Sequence, residues 1–316
     1  MNRLLGRMAP IALEELNEKA ALQTRVDRKY LVTGTVLENI LRYLSPSARV
    51  LTINGRREFR YFSVYYDTRD RDSYFDAAHG RDRRWKIRER EYVDQSSRWL
   101  EVKTRRGGRT IKQRRAVEES PRREWNQDER DAVNRALAMC GIAPVALERL
   151  MPTLTTSYWR ATLYEPCGDM RITIDRGLEW RRASDGTAAG PMGLYVVETK
   201  SAGPAPGTVD HLLWALGARP RRFSKYATGL AILEPDLAHN RWHATLRHIA
   251  PGVVRAAAGD RGGVPGPSDC AIAGLPSTTS RMDESGPGIH ADEIGPGHTP
   301  SSTVGGNDLT VRSGQS

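Results

Sequence analysis

Residues 84–92 read Arg-Trp-Lys-Ile-Arg-Glu-Arg-Glu-Tyr, and the alternation in this stretch decides the fold. Side chains two residues apart in a β-strand project from the same face of the sheet. Lys86, Arg88 and Arg90 therefore share one face, while Trp85 and Ile87 lie on the other. The stretch predicts a strand whose polar face is almost purely cationic.

Other short stretches repeat this period of two, which indicates further strands. They lie at residues 26–32, 60–66, 98–104, 110–114, 171–175 and 195–200. Helical patterns separate them at residues 35–44, 128–139 and 208–216. Gly107-Gly108 falls between two of the strands and is typical of a hairpin turn, so these strands should pair antiparallel. The fold class predicted from the residues is a β-rich α+β protein.

The other predicted strands also carry charge on one face and apolar side chains on the other. The charged sets are Glu101 with Lys103, Lys112 with Arg114, Arg171 with Asp175, and Glu198 with Lys200. The apolar faces, with Trp85, Ile87, Val102, Ile111, Ile172 and Ile174, are the surface on which helices can pack. The charged faces then either meet water on a flat sheet or point inward across a barrel. Because burying unpaired cations costs several kcal/mol each, an enclosed cationic face must stay hydrated or hold a polyanion such as a linear phosphate chain.

Carboxylates stand on the same faces as these cations. Glu101, Asp175, Glu198 and Asp27 would repel phosphate unless something lies between. Each carboxylate either pairs with a neighbouring cation or binds a divalent metal ion that also contacts phosphate oxygen. The residues alone leave both alternatives open.

Composition limits the classes of partner and compartment. The 316 residues carry 48 Lys and Arg against 38 Asp and Glu, a formal net charge of +10 that favours an anionic partner. Cys140, Cys167 and Cys270 have no metal-site or disulfide-framework spacing, which favours a reducing compartment. Neither a signal peptide nor a run long enough to span a bilayer is recognisable. We therefore expect a cytoplasmic protein.

The chain changes character near its C-terminal end. Beyond Trp242 there is no Phe, Tyr or Trp, and Gly, Pro, Ser and Thr dominate. Such a segment buries too little apolar surface to offset its ordering entropy. We predict one folded domain at residues 12–240 and a disordered tail at residues 243–316.

The order and spacing of the basic motifs between Arg25 and Gly229 resemble the VTC domain of the vacuolar transporter chaperone polyphosphate polymerases. That domain belongs to the triphosphate tunnel metalloenzyme superfamily, also called CYTH-like. The motifs are Arg28-Lys29-Tyr30-Leu31-Val32, Arg88-x-Arg90-x-Tyr92, Leu100-Glu101-Val102-Lys103, Lys112, Arg171 to Asp175, Val197-Glu198-Thr199-Lys200 and Phe223-Ser224-Lys225-Tyr226.

The resemblance implies a closed antiparallel β-barrel, or tunnel, of about eight strands with helices packed outside. It implies transfer of the γ-phosphoryl group of ATP onto inorganic polyphosphate, with Mn²⁺ or Mg²⁺ as cofactor and no covalent enzyme intermediate. The implied catalytic residues are Lys29, Arg88, Arg90, Lys103, Lys112, Arg171 and Lys200. Arg222, Ser224 and Lys225 would bind phosphate, with Lys86 added because it shares the face of Arg88. Glu198 matches the family's metal-binding glutamate, and Glu101 is a second metal candidate.

One motif departs from other branches of the superfamily. Triphosphatases and nucleotide cyclases open with Glu-x-Glu-x-Lys, whereas the matching positions here read Arg25-x-Asp27-x-Lys29. The missing acidic residue favours the polymerase branch. Two alternatives stay open: a hydrolase of triphosphate or short polyphosphate, and a non-catalytic module that binds polyphosphate or RNA. No P-loop is present, DNA is not an expected partner, and the oligomeric state is left open.

Overall fold

A computed structural model describes residues 1–19, 26–117, 125–201 and 203–256. Within them the strands are β1 Ala9–Ile11, β2 Val26–Thr33, β3 Arg49–Leu51, β4 Phe59–Thr68, β5 Arg84–Tyr92, β6 Ser97–Arg106, β7 Arg109–Ala116, β8 Leu150–Glu165, β9 Met170–Arg182, β10 Ala188–Pro191, β11 Leu194–Ser201 and β12 Val253–Ala256. The α-helices are α1 Asn2–Leu5, α2 Leu13–Lys19, α3 Gly34–Leu44, α4 Asp72–Ala78, α5 Gln127–Ala138, α6 Thr208–Ala215, α7 Lys225–Leu233 and α8 His243–Ile249. The predicted α+β class is confirmed.

One large sheet organises these elements. Its main path runs β7-β6-β5-β4-β8-β9-β11-β2, and every neighbouring pair along it is antiparallel. Gly107 and Gly108 form the turn between β6 and β7, both with positive φ, so the predicted hairpin is confirmed. β2 and β7 end the path and do not pair with each other within the described residues. The expected closed barrel is therefore not confirmed.

The sheet nevertheless curls strongly. Three strand spacings separate β5 from β9, which would be about 14 Å in a flat sheet. Yet Lys86 on β5 contacts Ser224, and the next residue, Lys225, contacts Asp175 on β9. Two consecutive residues at the start of α7 thus bridge the two strands. The face that carries Lys86 and Asp175 is the concave one.

Helices cover the convex face, as the apolar strand faces predicted. Trp85, Ile87 and Val102 are buried together with Val133 and Leu137 of α5. A separate core buries the outward side chains of β2, β9 and β11, Ile172 and Ile174 among them, against α3 and α6. Ile111 is an exception, because β7 is an edge strand and this side chain is 36% exposed.

A third core fills one end of the concave side. Nearly every residue of α7 is buried, and the helix packs on Leu31, Tyr65, Val196 and Trp180 from strands across the sheet. Trp180 is completely buried, with Gly229 of α7 directly against its indole ring. The helix closes this end of the concavity and leaves the remainder to charged side chains.

The folded part extends beyond the expected boundary at residue 240. Residues of the predicted tail form α8 and β12, and β12 pairs antiparallel with β10. Pairing with a distant strand orders them despite their composition. The rest of the predicted tail, residues 257–316, including Cys270, lies outside the described residues. Across the described part, no helix combines the length and apolarity needed to cross a membrane.

The contact between α7 and Trp180 makes a stability prediction. A methyl group at position 229 would overlap the indole ring, so Gly229→Ala should lower the free energy of unfolding by about 1–3 kcal/mol. Gly34→Ala is the control, because its added Cβ would lie 3.7 Å from the nearest atom, in the Tyr195 ring. Urea denaturation of both variants checks this. Equal stability of Gly229→Ala and wild type would show that α7 does not pack as described.

Candidate active site

The concave face brings together most of the predicted site residues from separate strands. Lys86, Lys103 and Lys112 lie side by side on β5, β6 and β7, and Arg88 lies beside Glu101. On the other side of the concavity, Glu198 faces Lys29, and Lys200 faces Arg171. We call the following set the cationic face: Lys29, Lys86, Arg88, Arg90, Lys103, Lys112, Arg171, Lys200 and, from α7, Lys225.

Glu101 holds one half of this face together. Its carboxylate accepts a 2.7 Å hydrogen bond from Arg88 Nε and lies 2.5 Å from Lys112 Nζ and 3.9 Å from Arg90. The side chain is 2% exposed. Burial alone would raise the pKa of Glu101, but the charges of Arg88, Arg90 and Lys112 outweigh it and hold the pKa well below its usual range. Glu101 is a fixed anion that orients three cations.

Asp175 has the same role in the other half. Its two carboxylate oxygens accept hydrogen bonds of 2.6 and 2.9 Å from Arg160, and one of them also contacts Lys225. Burial opposes ionisation, yet the two cations lower the pKa of Asp175 to about 2. The fork of Arg160 is thereby fixed in the concavity beside Lys225.

Arg160 and Tyr158 belong to the site but escaped the sequence analysis. They lie on β8, where Arg160 is the single cation among aromatic, apolar and hydroxyl side chains, so this strand lacks the charged set that identified the other strands. The alternating Tyr-x-Arg spacing from residue 158 to 160 was the available signal.

Tyr158 has an unusual phenol group. It accepts a 3.2 Å hydrogen bond from Arg90, and Lys225 Nζ lies 4.3 Å from its ring centre. Burial would raise the pKa of Tyr158, but Arg90, Arg160 and Lys225 together lower it below its ordinary value. The positive charges around Tyr158 thus outweigh the effect of its burial.

The pKa values of three lysines on the face are lowered as well. Burial and the nearby charge of Lys29 lower the pKa of Lys103 to about 8. Burial lowers the pKa of Lys112 to about 8 although Glu101 opposes the change. The pKa of Lys86 falls well below its usual value because of burial and repulsion from Lys29, Lys103 and Arg88. The nine cations of the face outnumber its four carboxylates, Glu101, Asp175, Glu198 and Asp27, so the face carries an excess of positive charge.

Glu198 lies on β11, where its partner in the strand register is Lys29 on β2. Its strand is not a neighbour of β6, which carries Glu101. The Glu198 carboxylate is 3.0 Å from Lys200 Nζ and is 15% exposed. Burial disfavours its charge, but Lys200, Lys29, Arg160 and Lys225 hold the pKa of Glu198 well below normal. Asp27 lies on the same face of β2, two residues before Lys29, and its partner in the strand register is Lys200. The charges of Asp27 and Glu198 both favour the charged form of Lys103.

These carboxylates allow a test of whether a divalent ion fits. No cluster of three or more His, Cys, Asp and Glu that could hold a metal occurs in the described ranges. Mg²⁺ and similar ions, however, are commonly held by one or two carboxylates together with substrate phosphates. Glu198, which is 15% exposed and has Asp27 on the same face, fits that pattern. Glu101 is already paired with Arg88 and Lys112, and its assignment as a metal ligand stays a prediction.

Ser224 and Arg222 complete the predicted set. The Ser224 hydroxyl accepts a 2.8 Å hydrogen bond from Lys86 and caps α7 through the backbone N–H of Ala227. Arg222, two residues earlier, is exposed beyond this cap. The segment that starts α7 therefore carries Lys225 into the cationic face and Arg222 towards its outer end.

The family model of the VTC domain matches residues 24–234. No curated protein matches the chain.

Solved structures show distant likenesses. The putative adenylyl cyclase HpAC1 from Hippeastrum, described as having a dominant triphosphatase activity, shares 14% identity over 66% of this chain and 96% of its own, with a TM-score of 0.41. The PH1819 protein from Pyrococcus horikoshii OT3 shares 15% identity over 66% of this chain and 99% of its own, with a TM-score of 0.37. The Pct1 RNA triphosphatase of S. pombe shares 11% identity over 61% of this chain and 68% of its own, with a TM-score of 0.23.

The ion pairs of Asp175 predict a pH-dependent contribution to stability. The folded-state pKa is about 2 against an ordinary 3.8, so the contribution is present above pH 3.8 and is lost as the pH falls towards 2. Asp175→Asn should therefore lower the free energy of unfolding by about 2 kcal/mol or more at pH 7, and by less at pH 3. Denaturant unfolding at several pH values checks this.

The control for this experiment is Asp128→Asn. Asp128 is 71% exposed and pairs with Arg115 on the surface, so its replacement should change stability little at any pH. A loss in Asp175→Asn that is the same at pH 3 and pH 7 would contradict the assigned ion pairs.

Proposed function

The chain belongs to the VTC domain family, and from this premise we propose that it is a polyphosphate polymerase. The reaction transfers the γ-phosphoryl group of ATP onto the end of an inorganic polyphosphate chain. Family membership supports a phosphoryl-handling enzyme, and the proposal adds the donor, the acceptor and the direction. ATP and polyphosphate are the proposed partners.

The observation that carries the proposal is the uncompensated charge of the cationic face. Nine cations share the face with four carboxylates, and burial together with repulsion from neighbouring cations lowers the pKa values of Lys86, Lys103 and Lys112. A linear polyphosphate would relieve this repulsion along its whole length, since each phosphate carries roughly one negative charge and accepts charge-assisted hydrogen bonds. A neutral ligand would not.

The residues suit phosphoryl transfer without a protein nucleophile. An oxygen of the terminal chain phosphate forms the new bond to the γ-phosphorus of ATP, and the bond to the ADP oxygen breaks. This chemistry requires positioning and neutralisation of charge. Arg88 and Arg90, oriented by Glu101, and Arg160, oriented by Asp175, would hold phosphate oxygens in fixed places. Lys103, Lys200 and Lys225 would neutralise the remaining charge.

We also propose that Mn²⁺ or Mg²⁺ takes part. Glu198, with Asp27 beside it, would hold the ion against the phosphates, and the ion would neutralise charge on the transferred group. The curl of the sheet around the cationic face supports a tunnel as the working form of the site.

The test is incubation of purified protein with ATP, Mn²⁺ or Mg²⁺ and a short polyphosphate primer, followed by sizing of the products. Wild type should release ADP and lengthen the chain, and Glu198→Gln should reduce the rate by a factor of about 100 or more. The control is Glu91→Gln, because Glu91 faces the other side of β5, where it pairs with Arg98 at 3.0 Å. Release of free phosphate without longer products would identify a hydrolase instead, and binding without turnover would identify a binding module.

Binding should also be coupled to proton uptake. Near pH 8, Lys103 and Lys112 are each about half protonated in the free protein, and bound phosphate raises both pKa values. Tripolyphosphate binding at pH 8 should therefore take up about one proton in total. At pH 6 the lysines are already charged, so this contribution disappears.

Calorimetry in two buffers of different ionisation enthalpy measures the uptake. The double variant Lys103→Arg and Lys112→Arg keeps the charge but should abolish the uptake at pH 8, because arginine stays protonated. Tight binding of tripolyphosphate to wild type with no proton uptake at pH 8 would be incompatible with this charge arrangement.

A further inference from the structure

Four arginines form a second group of cations beyond the cationic face. They are Arg84 on β5, Arg105 on β6, Arg222 before α7 and Arg241 before α8. We call them the outer arginine cluster. Arg222 is the one member that the sequence analysis singled out.

The strand register places Arg84 and Arg105 in line with the cationic face. Arg84 on β5 pairs with Arg105 on β6, and this pair lies two residues along both strands from the pair of Lys86 and Lys103. Since side chains two apart share a face and the strand rises about 3.4 Å per residue, this pair extends the row of cations by about 7 Å. Arg222 lies two residues before Ser224, which contacts Lys86, and its charge acts on Arg241.

The four side chains are close enough to repel each other. Burial lowers the pKa of Arg84, and the charges of Arg105 and Arg241 lower it further. Burial likewise lowers the pKa of Arg241, with Arg222 and Arg105 acting in the same sense. Arg241 reaches the group by lying against Gly80, at the end of α4.

Nearby carboxylates offset this charge only in part. Asp76 and Asp82 favour the charged form of Arg84. Asp76, however, is 3.3 Å from Arg81, and Asp82 accepts the backbone N–H of Gly107 at 2.8 and 3.0 Å. Two carboxylates against four arginines leave the cluster with an excess of positive charge.

We propose that the outer arginine cluster binds the distal part of a long polyphosphate chain whose end lies in the cationic face. The inference rests on the proposed function and adds a preference for chain length. A triphosphate fits within the cationic face, whereas a longer chain continues past Lys86 and Lys103 onto Arg84 and Arg105. Long chains therefore gain contacts that triphosphate cannot make.

The experiment measures binding of tripolyphosphate, a long-chain polyphosphate and a single-stranded RNA of similar length to the double variant Arg105→Gln and Arg241→Gln. Neither arginine belongs to the proposed catalytic set. The Kd for the long chain should rise about tenfold. The slope of log Kd against log salt concentration should fall by about one to two. Tripolyphosphate affinity should stay unchanged. The control variant, Arg3→Gln and Arg42→Gln, removes the same charge from α1 and α3 and should leave both affinities unchanged.

Two results would overturn the inference. One is equal weakening, or no weakening, of the two ligands in the cluster variant. The other is weakening of a single-stranded RNA of similar length with no effect on long-chain polyphosphate. If wild type binds both phosphates but does not elongate them, the polymerase proposal fails while the affinity comparison still decides the role of the cluster. A wild-type protein that binds neither phosphate would overturn both proposals.

Discussion

The structure depends on two buried carboxylates that hold mutually repelling cations in place. Glu101 gathers Arg88 and Lys112, and Asp175 gathers Arg160 and Lys225. Without them the cations would separate, because like charges at such distances repel strongly in a partly dry site. The carboxylates also leave the arginines with donors to spare, since each guanidinium has five N–H groups. Orientation of the site is thus achieved without neutralising it.

The fold distributes its apolar and charged side chains to allow this. Helices bury the convex face, and α7 fills one end of the concavity with apolar side chains. Residues at the start of that helix reach both β5 and β9, so packing of an apolar helix fixes the position of charged side chains. Local stability and the geometry of the candidate site are coupled through α7.

The sequence predicted those features of the concave face that arise from short sequence patterns. Arg88, Arg90 and the β6–β7 hairpin follow from alternation and a pair of glycines, which depend on neighbouring residues alone. Arg160 was missed because it is the single cation of β8, which carries no charged set of the kind that identified the other strands. The α7 helix was missed because it is buried nearly all round and so lacks an amphipathic pattern. Pairing of β12 with β10 depends on a distant strand, and composition near the boundary of the predicted tail carried no sign of it.

The central claim is that the cationic face is the surface that receives a phosphate chain. A crystal structure of the protein with bound tripolyphosphate measures this most directly. The account predicts phosphate oxygens within hydrogen-bonding distance of Arg88, Arg90, Arg160 and Lys103, with the Glu101 and Asp175 ion pairs kept. Phosphate bound on the convex surface, with the concave side chains unchanged and free of ligand, would contradict it.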